Sequence, residues 1–155
     1  GSFGKTFHVT GWKIGYCIAP DELMIEFRKV HQFNVFCVNH PMQEAIAKFI
    51  SDEKNYNQLE QFYQEKRDYF LSLIKDSNFK LLPSKGTYFV LLDYSNISNE
   101  NDVEFAKRVT KEYGLATIPV SVFYKNKEDN KVVRLCFAKT NETLESAAKI
   151  INSIK

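Results

Sequence analysis

The sequence predicts an α/β protein whose larger share is an α+β layer, a small sheet with helices packed on it, preceded by the edge of something bigger. Three observations carry that expectation. The later half reads strand, strand, helix, strand, strand, helix, the order of a small sheet covered by helices. Apolar residues at helical spacing run through the middle. The first part is a single apolar strand-like run followed by helices.

Taken in order, residues 1–6 read as a loop, and Trp12 to Ala19 as a short buried strand ending at Pro20. Asp21 suits a helix N-cap, with Leu23, Phe27, Val30 and His31 sharing one face. Phe33 to Asn39 is a break, and Pro41 fits the first turn of a second helix. There Met42, Ala45, Ile46, Phe49 and Ile50 follow the i, i+3, i+4, i+7, i+8 spacing of a buried stripe. A long helix is expected from Asn55 to Lys75, facing inward through Leu59, Phe62, Tyr63, Phe70, Leu73 and Ile74. Strands follow over Phe79–Leu82 and Thr87–Leu92, joined by the turn Pro83-Ser84-Lys85-Gly86. A helix from Asp102 to Tyr113 should stop at Gly114, a residue that tolerates the left-handed conformation of a helix end. Leu115–Ile118 is a short strand, Lys125–Lys131 a solvated charged loop, and Val132–Phe137 an apolar strand with one charge, Arg134. The last helix starts near Thr140 or Asn141 and buries Leu144, Ala147, Ala148, Ile151 and Ile154.

Composition excludes several classes. The 155 residues carry 21 basic and 19 acidic side chains, a net charge of +2. That is too near neutral to argue for nucleic acid or an anionic membrane surface. No apolar run approaches the roughly 18 residues of a membrane span, and the glycine, lysine and histidine at the start do not form a secretory leader. The three cysteines, Cys17, Cys37 and Cys136, are odd in number and flanked by apolar residues, which suggests buried, reduced thiols in a cytoplasmic protein. Neither they nor His8, His31 and His40 show the spacing of a metal site, so none is expected. A start inside a motif, without methionine, reads as a fragment.

The motif in question is Gly1-Ser2-Phe3-Gly4-Lys5-Thr6-Phe7-His8-Val9-Thr10-Gly11-Trp12-Lys13-Ile14-Gly15. Small neighbours let another molecule approach the backbone around Lys5, and glycines punctuate the segment that carries Lys13. A lysine becomes a nucleophile when its ammonium is destabilised by desolvation or by a nearby cation. Gly4-Lys5-Thr6 also matches the tail of a phosphate-binding Walker loop. That loop needs an earlier glycine, which would precede residue 1, and a helix directly after the threonine, which Val9-Thr10-Gly11 opposes.

With Thr10-Gly11-Trp12-Lys13-Ile14-Gly15 behind it, Ser2-Phe3-Gly4-Lys5-Thr6-Phe7 resembles the cofactor-lysine signature of fold-type I aminotransferases, pyridoxal-phosphate enzymes. Within that superfamily the resemblance is nearest to the kynurenine, methionine and aromatic 2-oxo-acid branch. Ile118-Pro119-Val120-Ser121-Val122-Phe123-Tyr124, Val133-Arg134-Leu135-Cys136-Phe137-Ala138-Lys139 and Gly86-Thr87-Tyr88-Phe89 resemble three further segments of it, in the right order. The resemblance implies the C-terminal part of such an enzyme. Residues 1-32 would end the large cofactor-binding domain and its connecting helix, and residues 33-155 would form a helical segment and the small domain.

Lys5 is then the catalytic Schiff-base lysine and proton shuttle. Ser2 and Lys13 would bind the cofactor phosphate, Lys13 as a point charge where many relatives use the fork of an arginine. Arg134 would clamp the substrate α-carboxylate. Phe36, with Cys37 more loosely, would reach the pocket of a partner subunit in a homodimer. The implied reaction moves an amino group from an L-amino acid to a 2-oxo acid. Cysteine-conjugate β-elimination on the same residues, or a non-catalytic dimerisation role for the fragment alone, stand as alternatives. Much of the pocket would lie outside these residues, so no turnover is expected of the fragment by itself.

Overall fold

The computed structural model describes residues 1–155, which divide into two compact units, Gly1–Glu60 and Gln61–Lys155. The second unit holds the sheet. Its elements are α4 (Leu59–Ile74, which begins at the unit boundary), β1 (Lys80–Leu81), β2 (Phe89–Asp93), α5 (Asp102–Tyr113), β3 (Ile118–Pro119), β4 (Val132–Cys136) and α6 (Asn141–Ser153). The strands form one antiparallel sheet in the order β1-β2-β4-β3. The strand and helix order is the one the sequence predicts, with shorter strands.

Side-chain alternation decides what this sheet does. Val90 and Leu92 of β2, with Val133 and Leu135 of β4, all face the core. There they meet Phe70 and Ile74 of α4, Phe105 and Val109 of α5, and Leu144 and Ile151 of α6. Each fully buried side chain of this size contributes about 1.5–3 kcal/mol by leaving water. Because the period of a strand is two, the intervening residues Phe89, Leu91, Arg134 and Cys136 fall on the opposite face. Arg134 is therefore not a charge forced into the core. It stands opposite Leu91 on one side and Ile118 on the other.

The helices end where local chemistry dictates. The Asn101 side chain caps α5 by accepting from the Glu104 N–H at 3.0 Å, and Gly114 closes it at φ 71°. Thr140 caps α6. Polar ties link α4 to α6: the Tyr69 hydroxyl donates to Glu145 at 2.6 Å and Asn152 donates to the Leu73 carbonyl at 2.9 Å. The long middle helix is shorter than predicted, beginning at Leu59 after a 3₁₀ turn at Glu53–Asn55, and Phe62 stays 45% exposed. The charged loop is not wholly solvated, since the Lys131 ammonium donates to the carbonyls of Asn99 and Glu100.

The first unit contains α1 (Phe3–Thr6), α2 (Asp21–Asn34) and α3 (His40–Ile50). Here several expectations are corrected. Residues 3–6 are a single helical turn, not a loop, because the Ser2 hydroxyl accepts from the Gly4 N–H at 3.2 Å and nucleates it. The strand expected over Trp12–Ala19 is absent. Its one rung is the antiparallel bridge between Ser2 and Gly15, and a strand needs a partner along its length. Pro20, not Asp21, is the N-cap of α2, with Asp21 and Glu22 in the first turn facing the positive end of the helix. No residue of α2 is buried. The cysteines are unpaired as expected but not buried: Cys17 and Cys37 lie exposed in irregular segments, and Cys136 is half-buried on the outer face of β4. The helix expected at Pro41 forms as α3, with the Asn39 side chain capping and Pro41 in the first turn, but of its apolar stripe only Ile46 is buried, while Ala45 and Phe49 are exposed and Met42 and Ile50 half-buried. No helix is long and apolar enough to cross a membrane, and no group of His, Cys, Asp and Glu could hold a metal ion.

Candidate active site

The opening motif folds back on itself. The Gly1 nitrogen donates to the Tyr16 carbonyl and the Tyr16 N–H to the Gly1 carbonyl, both at 2.9 Å, while the Phe3 N–H donates to the Ile14 carbonyl at 3.2 Å. These bonds pair Ser2 with Gly15. Gly15 must be glycine there, since an added Cβ would stand 2.6 Å from the Gly1 carbonyl oxygen. Lys5 sits in the last turn of α1, one turn after Ser2. Beyond it the chain turns through His8 at φ 58° and a 3₁₀ turn at Thr10–Trp12. Lys13 then adopts the left-handed conformation at φ 55° and ψ 39°. Ser2, Lys5 and Lys13 are all exposed. The structure thus collects all three predicted cofactor residues in one small folded segment. The helical turn ends at Thr6 instead of starting there, which is the reverse of a Walker loop.

Phe36 lies just past the end of α2. Its N–H and that of Val35 both donate to the His31 carbonyl at 2.9 Å. It has φ 68° and is 77% exposed. That backbone position normally falls to glycine or asparagine, and a bulky residue there is uncommon and costly. Cys37 follows, also exposed.

In the second unit, Arg134 projects from the outer face of β4, half-buried. Its guanidinium carbon lies over the Phe89 ring at 4.7 Å and over the Phe123 ring at 5.3 Å. The ion pairs of the chain all join other residues, so no carboxylate of this chain neutralises it. Aromatic faces attract and orient a guanidinium without using its N–H donors. The five donors thus remain suited to a planar anion, and a carboxylate takes two of them in parallel.

Sequence reasoning did not anticipate what supports this arginine. Phe89 and Phe123 sit inside segments singled out for their motifs, but nothing in their spacing says that both rings meet one side chain. Asp102, read only as the start of a helix, proves to be buried and bonded to Ser121.

The architecture and these two residue clusters define a class. A profile of the aminotransferase class I and II family matches residues 1–151, and the chain belongs to that family. Methionine aminotransferase of Escherichia coli (strain K12) is 47% identical over 154 residues, covering 99% of this chain and 40% of that protein. Human kynurenine–oxoglutarate transaminase 3 is 35% identical over 173 residues, covering 99% of this chain and 38% of that protein. Among solved structures, an Escherichia coli protein described as a methionine aminotransferase superposes with a TM-score of 0.91 at 47% identity, over 97% of this chain and 40% of its own. N-succinyldiaminopimelate aminotransferase from Mycobacterium tuberculosis does so at 0.89 and 29% identity, over 99% of this chain and 41% of its own. The chain therefore spans about 40% of the length of these relatives.

Proposed function

We propose that this chain forms part of a pyridoxal-phosphate aminotransferase that moves an amino group from an L-amino acid to a 2-oxo acid. Class I and II aminotransferases depend on that cofactor, and the residues present fit it. The group offers an aldehyde and a phosphate. Lys5 brings a primary amine, Lys13 a positive charge and Ser2 a hydroxyl, and the Ser2–Gly15 pairing keeps the three in one segment. Residues 1–32 would belong to the large, cofactor-binding domain, and residues 33–155 to a helical segment and the small domain.

When bound, the cofactor supplies an electron sink for the bond broken at the substrate Cα. The protein's share is orientation and proton movement. Arg134 takes the α-carboxylate in a two-point grip, which fixes the direction of the Cα–H bond. The Lys5 amine, free once the substrate has taken its place, would take the proton from Cα and carry it on Nζ, serving as base and then as acid. Lys13 and Ser2 hold the phosphate end so that the reacting end does not drift. Phe36 reaches the pocket of a second subunit, so that two copies share each site. Its outward position at a strained backbone angle supports that reading. The similarity to methionine and kynurenine aminotransferases points to a methionine-like or aromatic amino donor. The chain by itself, at about 40% of the length of its relatives, would have no turnover.

The observation that carries the proposal is the unneutralised arginine stacked on two rings in a member of this family. Borohydride reduction of the full-length protein with pyridoxal phosphate, followed by peptide mapping, should place the label on Lys5; a label on any other lysine overturns the assignment. Arg134→Ala should raise KM for the amino acid by about 100-fold, the cost of a lost charge-assisted pair, with the Lys5 label intact. An unchanged KM removes Arg134 from the site.

A further inference from the structure

Asp102 and Ser121 are the buried polar residues of this chain, 1% and 6% exposed. The Ser121 N–H donates to one Asp102 carboxylate oxygen at 2.7 Å and the Ser121 hydroxyl to the other at 2.6 Å. Asp102 is in no ion pair. A carboxylate buried without a cation is expensive. It is tolerable here because both oxygens accept short bonds and the side chain lies in the first turn of the twelve-residue α5, at its positive end. An arrangement so costly invites the question of what it holds.

It holds the segment that follows β3. The ladder between β3 and β4 pairs Ile118 with Arg134 and Pro119 with Val133, and stops there. Proline has no N–H with which to carry a ladder on. Ser121 is the next fixed point, and it opens the 3₁₀ turn Ser121–Phe123, in which the Phe123 N–H donates to the Val120 carbonyl and the Tyr124 N–H to the Ser121 carbonyl. Two residues beyond the latch, the Phe123 ring meets the guanidinium of Arg134 while remaining 62% exposed. The ring lies outside the buried core.

We propose that Asp102 is a positioning residue for substrate binding: through Ser121 it sets the turn that presses Phe123 against Arg134, and so aims the guanidinium donors at the substrate carboxylate. The proposal rests on the reading of Arg134 as the carboxylate clamp. Asp102 itself touches neither substrate nor cofactor.

The test uses the full-length enzyme loaded with pyridoxal phosphate and compares an amino acid with the matching amine that lacks the carboxylate, phenylalanine and phenethylamine. Asp102→Asn preserves shape but turns an acceptor into a donor facing Ser121. It should raise KM for phenylalanine by about tenfold with kcat changed far less, and leave the affinity for phenethylamine as it was. In a ¹⁵N spectrum the Arg134 Nε–Hε signal, displaced by the ring currents of Phe89 and Phe123, should move toward the position of a free arginine. Ser121→Ala removes one of the two bonds and should act in the same direction with a smaller effect. If Asp102→Asn does not fold, Ser121→Ala and Phe123→Leu carry the decision. An unmoved KM ratio and an unmoved Arg134 signal in the folded variants overturn the positioning role. If Arg134→Ala abolishes discrimination between acid and amine while those variants do not, only the positioning role falls. If Arg134→Ala leaves discrimination intact, the clamp falls, and the positioning role falls with it.

Discussion

The two units of this chain spend their apolar residues in opposite ways. In Gln61–Lys155 the side chains that the sequence spaced for a core form one, with Phe70, Ile74, Phe105, Val133, Ile151 and Ile154 at 0% exposure. In Gly1–Glu60 the same spacing yields almost none: Ile14 and Ile46 are the buried apolar side chains, while Leu23, Val30 and Phe33 of α2 are 59%, 67% and 88% exposed. An amphipathic pattern states which face wants burial, not what will cover it. The second unit brings its own cover, in the form of a sheet whose inner face matches three helices. The first unit instead organises a backbone turn around Lys5 and Lys13, which is held by hydrogen bonds more than by buried area.

Phe105 is fully buried and stacks on Tyr94 with ring centroids 3.9 Å apart and planes 3° from parallel. Phe105→Ala should cost about 3–5 kcal/mol in denaturant unfolding, as large-to-small changes in a packed core do. A loss below about 1 kcal/mol would mean that the core of the second unit does not carry its stability.

A smaller effect comes from the bracket beside that core. Glu100 bonds to the Ser98 hydroxyl at 2.7 Å and to Arg108 at 2.9 Å, and these two partners hold its carboxyl below the usual range. A depressed folded-state pKa contributes stability above the unfolded value, and loses it as pH falls through the folded one. Glu100→Gln should therefore destabilise the chain modestly at neutral pH. The difference from wild type should close as pH drops below about 4. Unfolding midpoints across pH 2–8 check it, and a difference that persists at the acid end contradicts the assigned cause.

The smallest effect is expected in the first unit. Val30→Ala on α2 should shift unfolding of this chain by no more than about 0.5 kcal/mol, because little area is lost and alanine favours helix more than valine. A cost above about 1 kcal/mol would show that α2 is covered in solution, and the contrast between the units would disappear.

How much was legible in the sequence follows the same division. The strand and helix order of the second unit, the stop at Gly114 and the start of the last helix at Thr140 rest on local chemistry and periodicity, which a single sequence displays. The strand expected at Trp12–Ala19 failed because an apolar run cannot say whether a neighbour exists to accept its hydrogen bonds. The same blindness placed Cys17 and Cys37 inside: Tyr16, Ile18 and Phe36 beside them are themselves exposed.

The sequence by itself determined the longer helices α2 to α6, the order of the sheet-forming segments and the family, because each is written in residue types at fixed spacing. Only the tertiary structure decided that Ser2 pairs with Gly15, that Arg134 lies over Phe89 and Phe123, and that Asp102 is buried against Ser121. The physical reason is sequence distance. Capping and periodicity act within a turn or two of the chain. Asp102 and Ser121 are 19 residues apart, and only the path of the folded backbone brings a carboxylate to the one serine that can satisfy it.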